Sequence, residues 1–542
     1  MADDYDVIIL GSGVAGLSAA LAAVEARLRP LVLEKSELLG GGTTNSAGLV
    51  WVGDNDLQRE AGYFDRRDDI LSYMRFLGGG EIAEERMLTF IDRSPGVLRF
   101  FSGCGISFRI VRGVTDHYFG SAPGALAEGR MLEPELISGF DLGPWQHRIY
   151  APDDVPHYVT AEEQVSWGGL NSFSQWDKDL VRTRKQADMR GKGLGLICHF
   201  VKALHTRKVT MRTGHHVARL SGDGERVDGV VLGDGQVITA KRGVVIATGG
   251  YDWNVDLGKQ LEGFPDVVPM GPVSLTGDGL VLGAELGAVV HRIQNCLSVM
   301  LGYTIPSATE GEPPSSCRAS IVELFSPHTL LVNHHAERFA DESYFQEIVP
   351  RLRQFDALRH QYPNVPCYLI FDAQYLERYS FANQPVGTPV PGFVAHSDSM
   401  RELGAKLGID SDKLAATVDR FNNFARTGVD GDFHRGEKRW RLASASGPAK
   451  NPSLGTIEKP PFYGVQLLPS IGNSTGLLAN QHGQVMHHRG RPIEGLYVSG
   501  VAAARTEMGA GYQAGMNLAS AMTFSYLAVE HMAGKTTTSH SP

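Results

Sequence analysis

The sequence predicts an α/β protein whose principal domain is split along the chain by an inserted α+β unit. Three observations predict it. An apolar run of the buried-parallel-strand type opens the chain, a glycine-rich turn joins it to a helix-forming stretch, and similar strands return near residues 243 and 495. Length agrees, because 542 residues exceed what one hydrophobic core usually serves. With 42% hydrophobic and 20% charged residues the chain can bury a large core. A disordered or collagen-like chain does not fit, since the 64 glycines show no fixed period.

The first strand is Val7-Ile-Ile-Leu10, and it runs into Gly11-Ser12-Gly13-Val14-Ala15-Gly16. Helix-forming Leu17-Ser-Ala-Ala-Leu-Ala-Ala23 follows, then a second strand, Pro30-Leu-Val-Leu, ending in Glu34. The glycines serve distinct physical ends. Gly11 allows the tight turn, Gly13 lets the backbone approach a pyrophosphate, and Gly16 lets helix and strand pack closely. The helix start offers unpaired N–H groups and a positive dipole end to phosphates. Glu34 stands where a carboxylate binds ribose hydroxyls. A lone glycine motif is a weak signal; strand, motif, helix, strand and terminal acid in that order specify a dinucleotide.

The loop after Glu34 decides which dinucleotide. Lys35 is followed within a few residues by Gly41, Gly42, Thr43, Thr44, Asn45, Ser46 and Gly48. A loop so rich in glycine and hydroxyls lets donors approach a second planar group, which favours FAD over NAD. Thr43, Thr44, Asn45 and Ser46 are the candidates along the ribityl chain and flavin edge. The loop offers no histidine to bond the flavin, so noncovalent FAD is the simpler expectation. Two distant segments support FAD: Gly243-Val-Val-Ile followed by Ala247-Thr248-Gly249-Gly250, and Gly495-Leu-Tyr-Val-Ser-Gly500. Val217, Asp278, and Asn517 with Leu518 of the last helix complete the cofactor set. The whole reads as a Rossmann-like FAD-binding domain, split in sequence.

Along the chain, residues 1–285 form the first part of that domain. Within it, 209–217 through 227–232 reads as a β-meander leading to the Ala-Thr-Gly-Gly strand. The inserted α+β unit, which would cap the substrate, covers 286–451 and contains Val322 to Asn333, Cys367-Tyr-Leu-Ile-Phe371 and the amphipathic Leu414 to Phe421. The FAD domain resumes over 452–533 with a long helix from about Gly515, and the polar tail 534–542 reads as disordered.

Composition also excludes partners. The formal net charge is −9, against a nucleic-acid binder, which carries a basic patch. Five scattered cysteines without a CxxC pair indicate a reducing compartment. The acidic start, Met1-Ala-Asp-Asp-Tyr-Asp6, does not resemble a secretory signal, and no apolar run spans a bilayer. Cytoplasmic location without an integral membrane segment is the expectation.

These motifs resemble the fumarate reductase/3-ketosteroid dehydrogenase flavoprotein superfamily over almost the whole chain. Asp116-His-Tyr-Phe119, Glu128-Gly-Arg-Met-Leu-Glu133, Leu275-Thr-Gly-Asp-Gly279 and Arg338-Phe-Ala-Asp-Glu342 resemble the 3-ketosteroid Δ1-dehydrogenase branch, as do Pro460-Pro-Phe-Tyr463 and Ala521-Met-Thr-Phe524. A fumarate reductase holds its dicarboxylate with arginines. By the resemblance its catalytic arginine falls at Phe325, and the histidine and arginine of its late motif fall at Gly509 and Gln513. Without guanidinium partners the bidentate pairing is lost, which argues against dicarboxylate reduction.

The ketosteroid branch implies other residues. Its enzymes remove an α-proton and a β-hydride from a ketone, using tyrosines as base and donors plus one glycine N–H that stabilises the developing oxyanion. The resemblance places Tyr118 at the first active-site tyrosine and Gly515 at the oxyanion glycine. Tyr512 lies one residue from the carbonyl-binding tyrosine, within Gly511-Tyr-Gln-Ala-Gly515, and Tyr344 lies two from the proton-abstracting one. Each also has a packing reading, and a tyrosine base needs its ordinary value of about 10 lowered by donors or positive charge. Trp167 and Trp176 read as structural before they read as pocket-lining. His328, His334 and His335 do not read as a metal site, because adjacent strand residues face opposite sides. The implied activity is FAD-dependent desaturation of a steroid or smaller cyclic ketone, with electrons passed to oxygen or a quinone. A flavin ene-reductase and an electron-transfer subunit are the alternatives.

Overall fold

A computed structural model describes residues 5–153, 155–169, 173–306, 316–382, 384, 386–438 and 451–534. All but the first residue of the tail assigned from 534 lies outside the described residues. The first strand, Tyr5–Leu10, lies at the centre of a sheet and is buried on both faces. This explains its unbroken apolar run. It pairs in parallel with Pro30–Leu33 on one side and with the second half of Val237–Ile246 on the other. Thr210–Arg212 extends the parallel sheet beyond Pro30–Leu33. Only Val217–Gly222, Val227–Leu232 and Val237–Ile246 form the meander, so the segment from 209 divides between two roles.

Val237–Ile246 changes partners along its length. Val237–Thr239 pairs antiparallel with the meander, whereas Gly243–Ile246 joins the parallel sheet. The switch falls at Gly243, whose φ is 142°. A Cβ there would lie 2.4 Å from the Gly495 carbonyl oxygen, so no other residue fits. The late strand Pro492–Val498 pairs in parallel with Val244–Ile246, and the last helix, Met516–Met532, packs on the first, Val14–Glu25. The chain thus returns to its starting sheet after the insertion.

The second sheet is antiparallel, ordered Ser316–Ala319, Leu301–Ile305, Phe462–Pro469, Cys367–Asp372 and Thr329–Asn333. Phe462–Pro469 lies beyond residue 452, so the capping sheet borrows a central strand from the segment expected to belong wholly to the returning FAD domain. The helix Ser411–Thr427 buries Leu414, Val418 and Phe421 against this sheet, as its amphipathic pattern requires. Arg338 locks the unit from inside: its guanidinium lies 2.8 Å from both Glu342 and Asp430. No described helix is long and apolar enough to cross a membrane.

Candidate active site: a nucleotide cleft beside a tyrosine cluster

A cavity of about 390 Å³ opens at the carboxyl ends of the parallel strands. That is where ligands bind open α/β sheets. The glycine turn and the Glu34 loop are tied together beneath it. Ser12 donates to Glu34 Oε2 from both its N–H, at 3.0 Å, and its hydroxyl, at 2.6 Å. Gly40 N donates to the Ser12 hydroxyl, and Val14 N to Thr43 Oγ1. Gly11 has φ 102°, and a Cβ on it would lie 2.4 Å from the Ala247 carbonyl oxygen. Only glycine lets the two strand ends come this close.

Of the cofactor residues expected from sequence, Gly11, Ser12, Gly13, Val14, Ala15, Glu34, Lys35, Gly41, Gly42, Thr43, Asn45, Ser46 and Gly48 line the cavity. So do Val217, Ala247, Thr248, Gly249, Asp278, Gly500, Asn517 and Leu518. Gly16 and Thr44 stand behind the wall. Gly16 touches the Gly11 carbonyl so closely that a Cβ would lie 2.0 Å from it, and the Thr44 hydroxyl donates to Gly41 O. Lys35 pairs with Asp278 at 2.8 Å, closing one side. Burial opposes ionisation of Asp278, yet Lys35 and the Thr276 hydroxyl hold its carboxyl below the usual range.

The donor set fits FAD. Asn45 Oδ1 and Thr248 Oγ1 are buried at the cavity without a protein partner among the described residues, and buried polar atoms of this kind require one. Several lining residues were not legible in sequence. Asn473, from the turn after Phe462–Pro469, accepts from Tyr251 N and donates to Asp252. Burial raises the Asp252 carboxyl to about 6. His215 and His216 also line the cavity, following the edge strand Thr210–Arg212 beside Pro30–Leu33, and His215 N donates to Glu34 O at 2.9 Å.

At the other end the fold brings the tyrosines together. The ring of Tyr118 stands 6.0 Å from that of Tyr344, and His117 lies 5.0 Å from Tyr512. Phe345 closes the cluster 5.3 Å from Tyr512. Tyr512 and Gly515 line the cavity; Tyr118 and Tyr344 form the layer next to it. The loop carrying Tyr118 is rigid because Asp116, buried, accepts at 2.8 Å from Trp51 Nε1, Leu126 N and Arg130 Nη1. Trp51 N also donates to the Gly515 carbonyl at 3.2 Å. One residue therefore registers the tyrosine loop against the last helix.

Gly515 caps that helix with φ 84°. Its own N–H donates to no protein group among the described residues. Gln513, which the sequence resemblance set at an arginine of fumarate reductases, accepts through Oε1 from the Tyr73 hydroxyl and from His117 N at 3.0 Å. A guanidinium, which only donates, would face the His117 N–H there. Phe325 is likewise buried core.

The phenols differ electrostatically. Burial pushes Tyr118 up to about 12, opposed by the Tyr512 N–H, which approaches its oxygen at 3.4 Å, and by the charge of Arg505. Burial also raises Tyr512, again with Arg505 opposing. Tyr344 is raised much further, by burial first and then by Tyr118, Glu347 and Asp341; its hydroxyl donates to His117 O. Arg505 itself was not legible as a site residue. The only sequence signal was an arginine in a segment of otherwise small residues. The Trp167 and Trp176 rings pack 6.0 Å apart, away from the cavity. His334 and His335 do not face opposite sides: they sit in the turn after Thr329–Asn333 with ring centres 3.9 Å apart. His328 bonds to Thr456 O.

A family model described as an FAD binding domain matches residues 6–518. The chain is 34% identical to 4-oxocyclohexanecarboxylate 2-dehydrogenase of Sinomonas cyclohexanicum, over 98% of this chain and 93% of that one. It is 30% identical to 3-oxosteroid 1-dehydrogenase of Mycobacterium tuberculosis, over 98% of each. Among solved structures, 3-ketosteroid Δ1-dehydrogenase of Sterolibacterium denitrificans, in complex with 1,4-androstadiene-3,17-dione, superposes with a TM-score of 0.86. The two are 25% identical, and the match covers 99% of this chain and all of that one.

Proposed function

The chain belongs to the FAD binding domain family, and from that premise we propose that it desaturates a cyclic ketone between the α and β carbons. Its relatives named as dehydrogenases of oxosteroids and of an oxocyclohexanecarboxylate support this reading. The observation that carries it is the unpaired Gly515 N–H beside Tyr512, at the edge of the cofactor cleft. A donor held free on a rigid helix cap suits an oxygen that gains charge during the reaction.

Bound FAD supplies the two-electron acceptor for the β-hydride. The chain's own residues manage the proton and the carbonyl. The Gly515 N–H and the Tyr512 hydroxyl would hold the ketone oxygen and stabilise the enolate. Tyr118 would take the α-proton: burial raises it to about 12 rather than lowering it as a base requires, but the Tyr512 N–H and Arg505 oppose that rise, and Tyr344 is raised further still. Tyr344, whose proton is engaged by His117 O, would position the His117–Tyr118 loop. Noncovalent FAD, a cytoplasmic setting, and oxygen or a quinone as final acceptor complete the proposal.

The test is anaerobic mixing of the yellow protein with saturated monocyclic and steroidal ketones. Flavin bleaching with an enone detected by mass spectrometry is the expected result. Absence of bleaching by every ketone, with enones reoxidising the dithionite-reduced protein, would replace the proposal with an ene-reductase.

A further inference from the structure

The segment that carries Tyr512 also carries a buried arginine that the protein leaves without a counter-ion. Arg505 is 7% exposed. Its Nη2 lies 2.9 Å from Cys296 Sγ, while its Nε and Nη1 are buried and meet no hydrogen-bond partner among the described residues. No described carboxylate stands within ion-pair distance of it. Arg353, which ends the helix Phe345–Leu352, has Nε and Nη2 in the same condition and packs over the ring of Phe264. Burial pushes the Arg353 guanidinium below its ordinary range, against the pull of Cys296 and Glu262.

Arg505 stands behind the residues that line the tyrosine end of the cavity, close enough for its charge to act on both Tyr118 and Tyr512. Cys296 Sγ lies 2.9 Å from Ser298 Oγ, which donates to Gly472 O at 2.8 Å. The next residue, Asn473, lines the cofactor cavity, as Tyr512 does from the other direction. A charge removed from water without a partner is costly, and proteins keep one where an anion arrives from outside. Arginine suits that role because its planar fork meets a carboxylate with two parallel hydrogen bonds.

We propose that Arg505 binds a carboxylate carried by the ketone substrate, so that the substrate is a small oxo-ring acid rather than a neutral steroid. The inference rests on the ketone-desaturase reading above and narrows it. A relative at 34% identity is named for such an acid, whereas the steroid named with the solved structure carries no carboxylate. The site differs from the arginine positions of the dicarboxylate reductases, which Phe325 and Gln513 occupy here. Anion binding therefore does not restore fumarate chemistry.

Two measurements on the FAD-loaded protein separate this inference from the reading it rests on. In the first, kcat/KM is compared for 4-oxocyclohexanecarboxylate and its methyl ester. The wild type should prefer the acid, and Arg505→Gln should reduce the acid-to-ester ratio on the order of 100-fold, with Arg505→Lys between them. In the second, unreactive cyclohexanecarboxylate is titrated against the flavin absorbance, and its Kd should weaken by a similar factor in Arg505→Gln. This titration needs no turnover, so it stands even if no ketone is desaturated. An unchanged ratio together with an unchanged Kd would overturn the carboxylate site. If Arg505→Gln does not retain flavin, the charge-keeping Arg505→Lys carries both measurements: a lowered ratio and a weakened Kd are expected, and a ratio and Kd both equal to wild type's would again overturn it.

Discussion

Replacing Gly515 by alanine tests the oxyanion assignment and the packing that creates it together. Gly515 has φ 84° and ψ −17°, a conformation that costs an L-residue about 1–2 kcal/mol. The added Cβ would stand 2.8 Å from Trp51 N, 3.0 Å from Val50 C and 3.2 Å from Leu49 C. These are backbone atoms of a strand that cannot step aside, since Trp51 N is bonded to Gly515 O and its indole to Asp116. Overpacking of this kind adds about 1–3 kcal/mol. The expected destabilisation is therefore about 2–5 kcal/mol. Displacing the N–H from the ketone oxygen should lower kcat by about 100- to 1000-fold, the usual effect of losing one oxyanion donor.

The assay pairs thermal unfolding at fixed FAD with anaerobic flavin reduction by ketone. Gly96→Ala is the control. Gly96 lies exposed inside the helix Glu84–Gly103, and a Cβ on it would meet nothing within 4 Å, so this change should stabilise by about 0.5–1 kcal/mol. A Gly515→Ala protein with wild-type unfolding and turnover within about twofold of wild type would refute both the strain argument and the oxyanion role.

Tyr512→Phe keeps the ring on His117 and Phe345 and should cut turnover while leaving flavin bound; undiminished kcat would remove the hydroxyl from the mechanism. With the Tyr118 phenol near 12, its ionised fraction grows tenfold per pH unit, so kcat/KM should rise with that slope between about pH 7 and 9. A flat profile would argue against Tyr118 as base. Gly11→Ala would drive a Cβ to 2.4 Å from Ala247 O, and the variant should purify colourless; a full flavin spectrum would contradict the cradle. In the capping unit, burial opposes ionisation of Asp430, but Arg338 holds its carboxyl down from 3.8 to about 2. That stability is present above pH 3.8 and lost as pH falls towards 2. Asp430→Asn should abolish this segment of the acid-unfolding curve, and an unchanged curve would place the acid sensitivity elsewhere.

Local sequence alone determined the nucleotide end. Gly11, Gly13 and Gly16, the apolar strands and Glu34 act through backbone geometry and short-range packing, so their spacing is itself the structural statement. The loop from Gly41 to Gly48 was legible for the same reason: its residues follow one another into the cavity. The proposed catalytic end was legible only as a set of tyrosines and the glycine Gly515. Their roles depend on contacts of the Asp116–His117 pair with Trp51, Tyr344 and Gln513, and of Trp51 with Gly515, which come from separate parts of the chain and meet only in the fold. Tertiary structure also decided that Phe462–Pro469 completes the capping sheet, since pairing partners are set by register across the insertion and not by the strand's own pattern. It likewise decided the state of Arg505. An arginine's charge is readable in sequence, but whether it faces water, a carboxylate or a buried void is set by what surrounds it, and here Cys296, Ser298 and Gly472 come from elsewhere in the chain.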